Sequence, residues 1–151
     1  MGERHDKRAR EILSKIRYAT VATVTSDGKS WSSPIAPVID TDFNIYWFCD
    51  KDSQHARNIH TNPRIVVVVH DLADPGSERD RVYMEADVIE LTDPTEIQRV
   101  RNANRMGSPP DLEEFAGHAV RKCYKSIPRK VWMNDPEGGS GAHGYRIDIH
   151  L

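Results

Sequence analysis

The segment from Phe48 to Pro63 concentrates the side chains best suited to chemistry: Phe-Cys-Asp-Lys-Asp-Ser-Gln-His-Ala-Arg-Asn-Ile-His-Thr-Asn-Pro. A strand ends in it, a polar turn follows, and Ser53 stands where an N-cap opens a helix over Gln54–His60. The first turn of a helix carries backbone N–H groups without intrahelical partners and a partial positive charge, so it suits a phosphate. Ser53 adds a hydroxyl, Gln54 an amide and His55 an imidazole to that turn. The same residues also suit an ordinary capped helix with a polar face, and local chemistry alone leaves both readings open.

Little else in the sequence points to catalysis. There is no Gly-x-Gly-x-x-Gly, Walker loop, Gly-x-Ser-x-Gly or His-Glu-x-x-His. The histidines are scattered; His55 and His60, five apart, point to different faces of one helix, so no metal site is expected. Cys49 and Cys123 stand alone and read as buried thiols rather than as a disulfide or a nucleophile. The glycine-rich stretch Gly138 to Gly144 lacks the strand–loop–helix setting of a phosphate loop and reads as a flexible connection. Trp31, Trp47 and Trp132 suit a core or an interface.

The elements that must position these residues are mostly strands. Ala9, Ile12, Leu13 and Ile16 follow helical spacing, with Asp6 as the expected N-cap and Arg17-Tyr18 as the close. Ala19 to Thr25 is rich in β-branched residues and predicts a strand; Asp27-Gly28 supplies a tight turn. A second strand over Ser30–Ile39 is interrupted by Pro34 and Pro37, which places it at a bulge or an edge. Ile45–Cys49 is a third strand. After the helix, Asn62-Pro63 forces a stop, and the five aliphatic residues within Arg64–His70 predict a central strand buried on both faces. Asp71–Asp80 reads as a charged loop and Arg81–Leu91 as a fifth strand. Asp93-Pro94 opens a helix to about Arg105, and Pro109-Pro110-Asp111 opens another ending near His118. Three strands follow, over Lys122–Ile127, Lys130–Met133 and Tyr145–Ile149. Hairpins dominate, so the expected architecture is mainly β (α+β): a closed or partly closed antiparallel barrel with peripheral helices.

At 151 residues the chain suits a single domain, 1–151. A net charge of −2 gives no global case for nucleic acid or an anionic membrane. The longest apolar run, Ile65 to Val69, is too short to span a bilayer. The charged N-terminus has no apolar stretch behind it, so a cytoplasmic location is expected.

From Tyr18 to Val69 the chain resembles the pyridoxamine 5'-phosphate oxidase-like split-barrel family. The resemblance rests on Tyr18-Ala-Thr-Val-Ala-Thr-Val, the turn Ser26-Asp-Gly-Lys, Ser33-Pro-Ile, Ile45-Tyr-Trp-Phe, Ser53-Gln-His-Ala-Arg-Asn-Ile and Asn62-Pro-Arg, and continues more weakly through Val82–Leu91 and Val131-Trp132. It implies a six- to eight-stranded antiparallel split β-barrel that dimerises and holds flavin mononucleotide (FMN) at the subunit interface, and the chemistry of a flavin-dependent oxidoreductase. Carried over, Ser33, Pro34, Ile35 and Ala36 would line the ring, and Phe48 and Cys49 would flank the ribityl chain. Ser53, Gln54 and His55 would meet the phosphate, Arg81 would approach the flavin or phosphate, and Trp132 would reach in from the second subunit. The sequence departs from the biosynthetic oxidases: Gln54-His55 replaces an Arg-Lys pair, Val38 stands near a lysine position, an arginine near Ser33 is missing, and no Arg-Leu-His-Asp-Arg motif occurs. Arg57, Arg79, Arg81 or a partner-chain residue are the candidates to replace those cations. The biosynthetic reaction is therefore not expected. Two other readings stay open on the same fold: a deazaflavin-dependent reductase, whose cofactor has a phosphate tail that the same helix start suits, and a non-enzymatic flavin- or haem-binding protein, with His55, His118 and His143 as the candidate axial ligands of a haem.

Overall fold

A computed structural model describes residues 2–70, 81–103, 120–134 and 146–151. In chain order these form α1 (Gly2–Ser14), β1 (Ala19–Val24), β2 (Ser30–Ile35), β3 (Val38–Ile39), β4 (Ile45–Asp50), α2 (Gln54–Thr61), β5 (Arg64–His70), β6 (Arg81–Glu90), α3 (Pro94–Ala103), β7 (Arg121–Asn134) and β8 (Arg146–Ile149). The eight strands make one antiparallel sheet in the order β2-β1-β5-β6-β7-β4-β3, with β8 added to β7.

That order contains the split. The two edges, β2 and β3, are consecutive pieces of one extended segment parted only by Ala36 and Pro37. The sheet curls until its edges meet, and the ring is closed there by covalent continuity instead of a hydrogen-bonded ladder. The prolines explain the break. Pro34 pairs with Thr20 on one side only, and neither it nor Pro37 has an N–H to offer a further strand. This is the split barrel expected from the sequence, with its mainly β composition and peripheral helices.

The core lies inside the curl. Ala19 and Val21, Ile65, Val67 and Val69, Val82, Met84 and Ala86, and Ile45 and Trp47 turn one face of their strands inward. The helix α1 adds Ala9, Ile12 and Leu13, and α2 adds Ala56 and Ile59. Each fully buried aliphatic side chain of this set contributes about 1.5–3 kcal/mol. A smaller second core lies outside the curl, where Ile97 and Val100 of α3 meet Val38, Tyr46, Leu91 and Cys123.

Four details differ from the sequence expectation. The helix α1 starts at Gly2, so Asp6 is inside it; its carboxylate instead accepts the His150 N–H (2.9 Å), tying α1 to the C-terminal strand. Its end is Ser14, not Tyr18. The strand β5 is interior but buried on one face: Ile65, Val67 and Val69 point inward while Val66 and Val68 are half-buried. Last, β7 is one continuous strand through Pro128, because a register shift at Glu85/Ala86 takes up the proline as a bulge. The helix expected to end near His118 and the glycine-rich stretch lie outside the described residues. No helix among the described residues is long and apolar enough to cross a membrane.

Candidate functional site at the start of helix α2

Helix α2 connects the two lips of the split. Its first turn follows directly on the end of β4, and its side packs on β1 and β2. Asn58 fixes that packing: buried, it donates through Nδ2 to Thr23 Oγ1 of β1 (2.9 Å) and accepts from Gln54 Nε2 (2.8 Å). Thr23 is in register with Trp31 of β2, whose Nε1 donates to Ser33 Oγ (3.1 Å). Ser33 accepts that bond, so its own hydroxyl proton is free to donate elsewhere.

The first turn of α2 is under-satisfied. Its first intrahelical bond runs from the Arg57 N–H to the Ser53 carbonyl (3.0 Å), so the N–H groups of Gln54, His55 and Ala56 lie ahead of the ladder. Ser53 holds the N-cap position in extended backbone (φ −60°, ψ 152°), yet its side chain makes no capping bond. Among the described residues, Ser53 Oγ and His55 Nε2 are buried without a hydrogen-bond partner, and so is Trp47 Nε1 two residues before Cys49. A buried polar group left unpaired costs about 1–3 kcal/mol. Burial holds the His55 imidazole below its ordinary value of 6.5, so it is neutral near pH 7. Burial also pushes the Cys49 thiol up to about 11, against weak contacts from Ser53 and Trp47, so Cys49 is an inert thiol. Cys123, pushed by burial to about 12, is inert as well, and both are free cysteines.

The residues singled out from the sequence fall into three groups. Ser53, His55 and Cys49 share the inner end of β4 and the first turn of α2. Gln54 shares that turn, but its amide is spent along the helix, donating to Asn58 and accepting from Arg57 NH2 (2.7 Å). Ser33 and Ile35 face inward from β2, whereas Pro34 faces out and Ala36 sits at the split itself. Phe48 is the exception on β4: it packs on the outer core beside α3, on the opposite face from Cys49. Arg81 and Trp132 form the third group. Both lie on the outer face of the sheet, on β6 and its neighbour β7, and β6 is equally far from both edges. Within one chain they are therefore remote from the split.

Three groups at these sites were not anticipated. Asn58 and Thr23 hold α2 in place, and a Thr…Asn spacing of 35 residues gives no sequence signal. Arg146 of β8 lies over the stacked rings of Tyr83 and Trp132, 4.4 and 5.2 Å from their centroids, with no ion-pair partner among the described residues. Trp132 Nε1 beneath it is buried with no hydrogen-bond partner among the described residues. No group of three or more histidine, cysteine or acidic residues among the described residues is arranged to hold a metal.

A family described as pyridoxamine 5'-phosphate oxidase matches residues 5–131. Among curated proteins, none matches the chain by sequence. Solved structures share the fold at low identity. An F420 reductase is 20% identical with a TM-score of 0.62, over 81% of this chain and 94% of that one. A heme binding protein from Mycobacterium smegmatis is 16% identical with a TM-score of 0.71, over 96% of this chain and 57% of that one. HutZ, a heme storage protein from Vibrio cholerae, is 15% identical with a TM-score of 0.67, over 85% and 93%. At such identities these likenesses establish the fold alone.

Proposed function

The chain belongs to the pyridoxamine 5'-phosphate oxidase family, and we propose that it is a homodimeric FMN-binding oxidoreductase acting on a small molecule. The observation that carries this reading is the pair of buried, unpartnered donors at the start of α2, Ser53 Oγ and His55 Nε2, beside backbone N–H groups ahead of the helical ladder. A phosphate accepts from all of them. Arg57, which crosses the first turn to Gln54, is the nearest cation on that helix. Ser33, with a hydroxyl proton to give, and Ile35 present the inner face of β2 to the flavin ring. Arg81 and Trp132, remote from the split of their own chain, serve the site of a second copy.

When bound, FMN supplies the redox chemistry by accepting and returning an electron pair. The chain's own part is binding, orientation and exclusion of water. The missing cationic positions argue for a substrate other than a pyridoxine phosphate, so purified protein is expected not to convert pyridoxine 5'-phosphate to pyridoxal 5'-phosphate. The decisive test is titration of the protein with FMN and with riboflavin, which differ by the phosphate. FMN is expected to bind at least tenfold more tightly; equal affinities would remove the role assigned to the α2 start. A deazaflavin has the same phosphate tail, and the visible spectrum of the protein isolated from its host separates it from FMN and from haem.

A further inference from the structure

A cavity of about 710 Å³ opens at the far end of β4 from Ser53, between α1, the β3–β4 turn and α3. We propose that it binds an amphipathic aromatic carboxylate, with the ring system on Phe43 and Ile39 and the anionic head between Lys7 and Arg10.

Four observations converge on this reading. First, one face of α1 supplies Lys7, Arg10, Glu11 and Ser14 to the wall, at the i, i+3, i+4, i+7 spacing that lines up side chains on a helix. Second, the charges do not cancel. Asp40 spends its carboxylate on the Asp42 and Asn44 N–H groups, the Asn44 amide and the Tyr46 hydroxyl, and Glu11 is 3.6 Å from Arg8. Lys7 has no partner among the described residues, and Arg10 makes one bond, to the His150 carbonyl (3.0 Å). An anion is therefore the complementary charge. Third, the floor is apolar: Ile39 and Phe43 are partly buried against the main core. Fourth, Phe43 holds φ at +62°, a left-handed conformation that is strained for a bulky residue. The turn around it is tied: the Asp40 N–H donates to the Asn44 carbonyl (3.1 Å), the Phe43 N–H to the Asp40 carbonyl (3.1 Å) and the Asn44 N–H to the Asp40 carboxylate (2.9 Å). A strained phenylalanine so fixed and facing a cavity fits a preformed ring contact better than a surface turn, where asparagine or glycine would relieve the strain.

The site is separate from that at α2. The strand β4 lies between them, and at about 3.3 Å per residue its six residues span roughly 17–20 Å. The proposal does not depend on which cofactor binds at α2. The probes are 2-naphthoate and its neutral counterpart 2-naphthalenemethanol, titrated calorimetrically into the full-length protein as purified. Naphthoate should bind at least tenfold more tightly than the alcohol. The Lys7→Glu/Arg10→Glu variant, altered only at exposed positions, should lose at least tenfold in naphthoate affinity with unchanged circular dichroism. Phe43→Gly should weaken both probes, and Ser53→Ala should leave naphthoate binding unaltered. No binding up to millimolar concentration, equal affinity for acid and alcohol, indifference to the charge reversal, or a loss caused by Ser53→Ala would each overturn the proposal.

Discussion

The two ends of β4 both bury polar groups, and they treat them in opposite ways. At its start, Tyr46 is fully buried and its hydroxyl sits among Asp40 (2.8 Å), Arg99 (3.1 Å) and Glu96 (3.3 Å), while Lys125 closes the set on Glu96 (3.1 Å). Arg99 and Lys125 also flank the Tyr46 ring, at 5.2 and 5.5 Å. Past its end, Ser53 Oγ and His55 Nε2 are buried without a hydrogen-bond partner among the described residues, as is Trp47 Nε1 in the middle of the strand. A satisfied network fixes one packing of helix on sheet and asks for nothing more; an unsatisfied one stores a cost that a ligand can remove. The difference separates what holds this protein together from the site proposed to receive a ligand.

The largest expected effect breaks the satisfied end. Asp40 is the hub of its turn, accepting from Asp42, Asn44 and Tyr46. Burial works to raise its carboxyl, but the bonds from Asn44 and Tyr46 outweigh that and hold it below the ordinary 3.8. Asp40→Ala removes those bonds and leaves the Tyr46 hydroxyl only Glu96 and Arg99, at about 3 kcal/mol of folding stability. Urea unfolding measures the loss. FMN affinity of the folded fraction should not change, because the α2 site is at the other end of β4; a joint loss would mean that the two ends are one unit. The same hub gives an acid limit. A carboxylate depressed on folding lends stability above 3.8 that disappears as pH falls through its folded value.

A smaller effect, with the opposite sign on stability, comes from the unsatisfied end. Ser53→Ala deletes a buried hydroxyl that has no partner among the described residues, so the cofactor-free protein should keep or slightly gain stability. FMN binding should weaken by about 1–2 kcal/mol, roughly five- to thirtyfold, the size of one hydrogen bond to a charged group. Thermal melts with and without FMN read both quantities. Stability lost together with affinity would make Ser53 an ordinary structural cap, the other reading its sequence allowed.

How much of this contrast the sequence discloses depends on distance along the chain. The strands β1, β4 and β6 are legible because β-branched and alternating residues are local signals, and so is α2, bounded by Ser53 and Pro63. Pro34 and Pro37 announce an interruption, but that their segment joins both edges of the sheet depends on pairings with β1 and β4. The Tyr46 cluster is illegible: its partners Glu96 and Arg99 come 50 and 53 residues later, on a helix whose own pattern says only that one face is apolar. Asp6 shows the reverse error. An acidic residue ahead of an apolar stripe looks like a cap, yet the helix runs back to Gly2 and the carboxylate serves His150. At the site, residue types were readable but facing was not: period-two alternation sends Phe48 to the outer core and Cys49 to the inner one.

The finest test concerns His55, where both protonation states matter. Burial depresses its imidazolium below 6.5 in the folded chain. The unfolded chain therefore takes up a proton first as pH falls below about 6.5, and the cofactor-free protein should lose stability from there down toward the folded value. A phosphate against Nε2 works the other way, favouring the imidazolium and drawing a proton in as FMN binds. Affinity should thus rise as pH falls through the titration range, an effect of a few-fold, partly masked by protonation of the phosphate itself near pH 6. His55→Gln keeps a neutral donor and cannot titrate, so the ratio of parent to variant affinity isolates the histidine. That ratio should grow from about pH 8 to about pH 5.5, while the acid-side loss of stability disappears in the variant. A flat ratio combined with the lost stability slope would place His55 in the wall of the core and out of reach of the phosphate, leaving Ser53, the backbone and Arg57 to hold it.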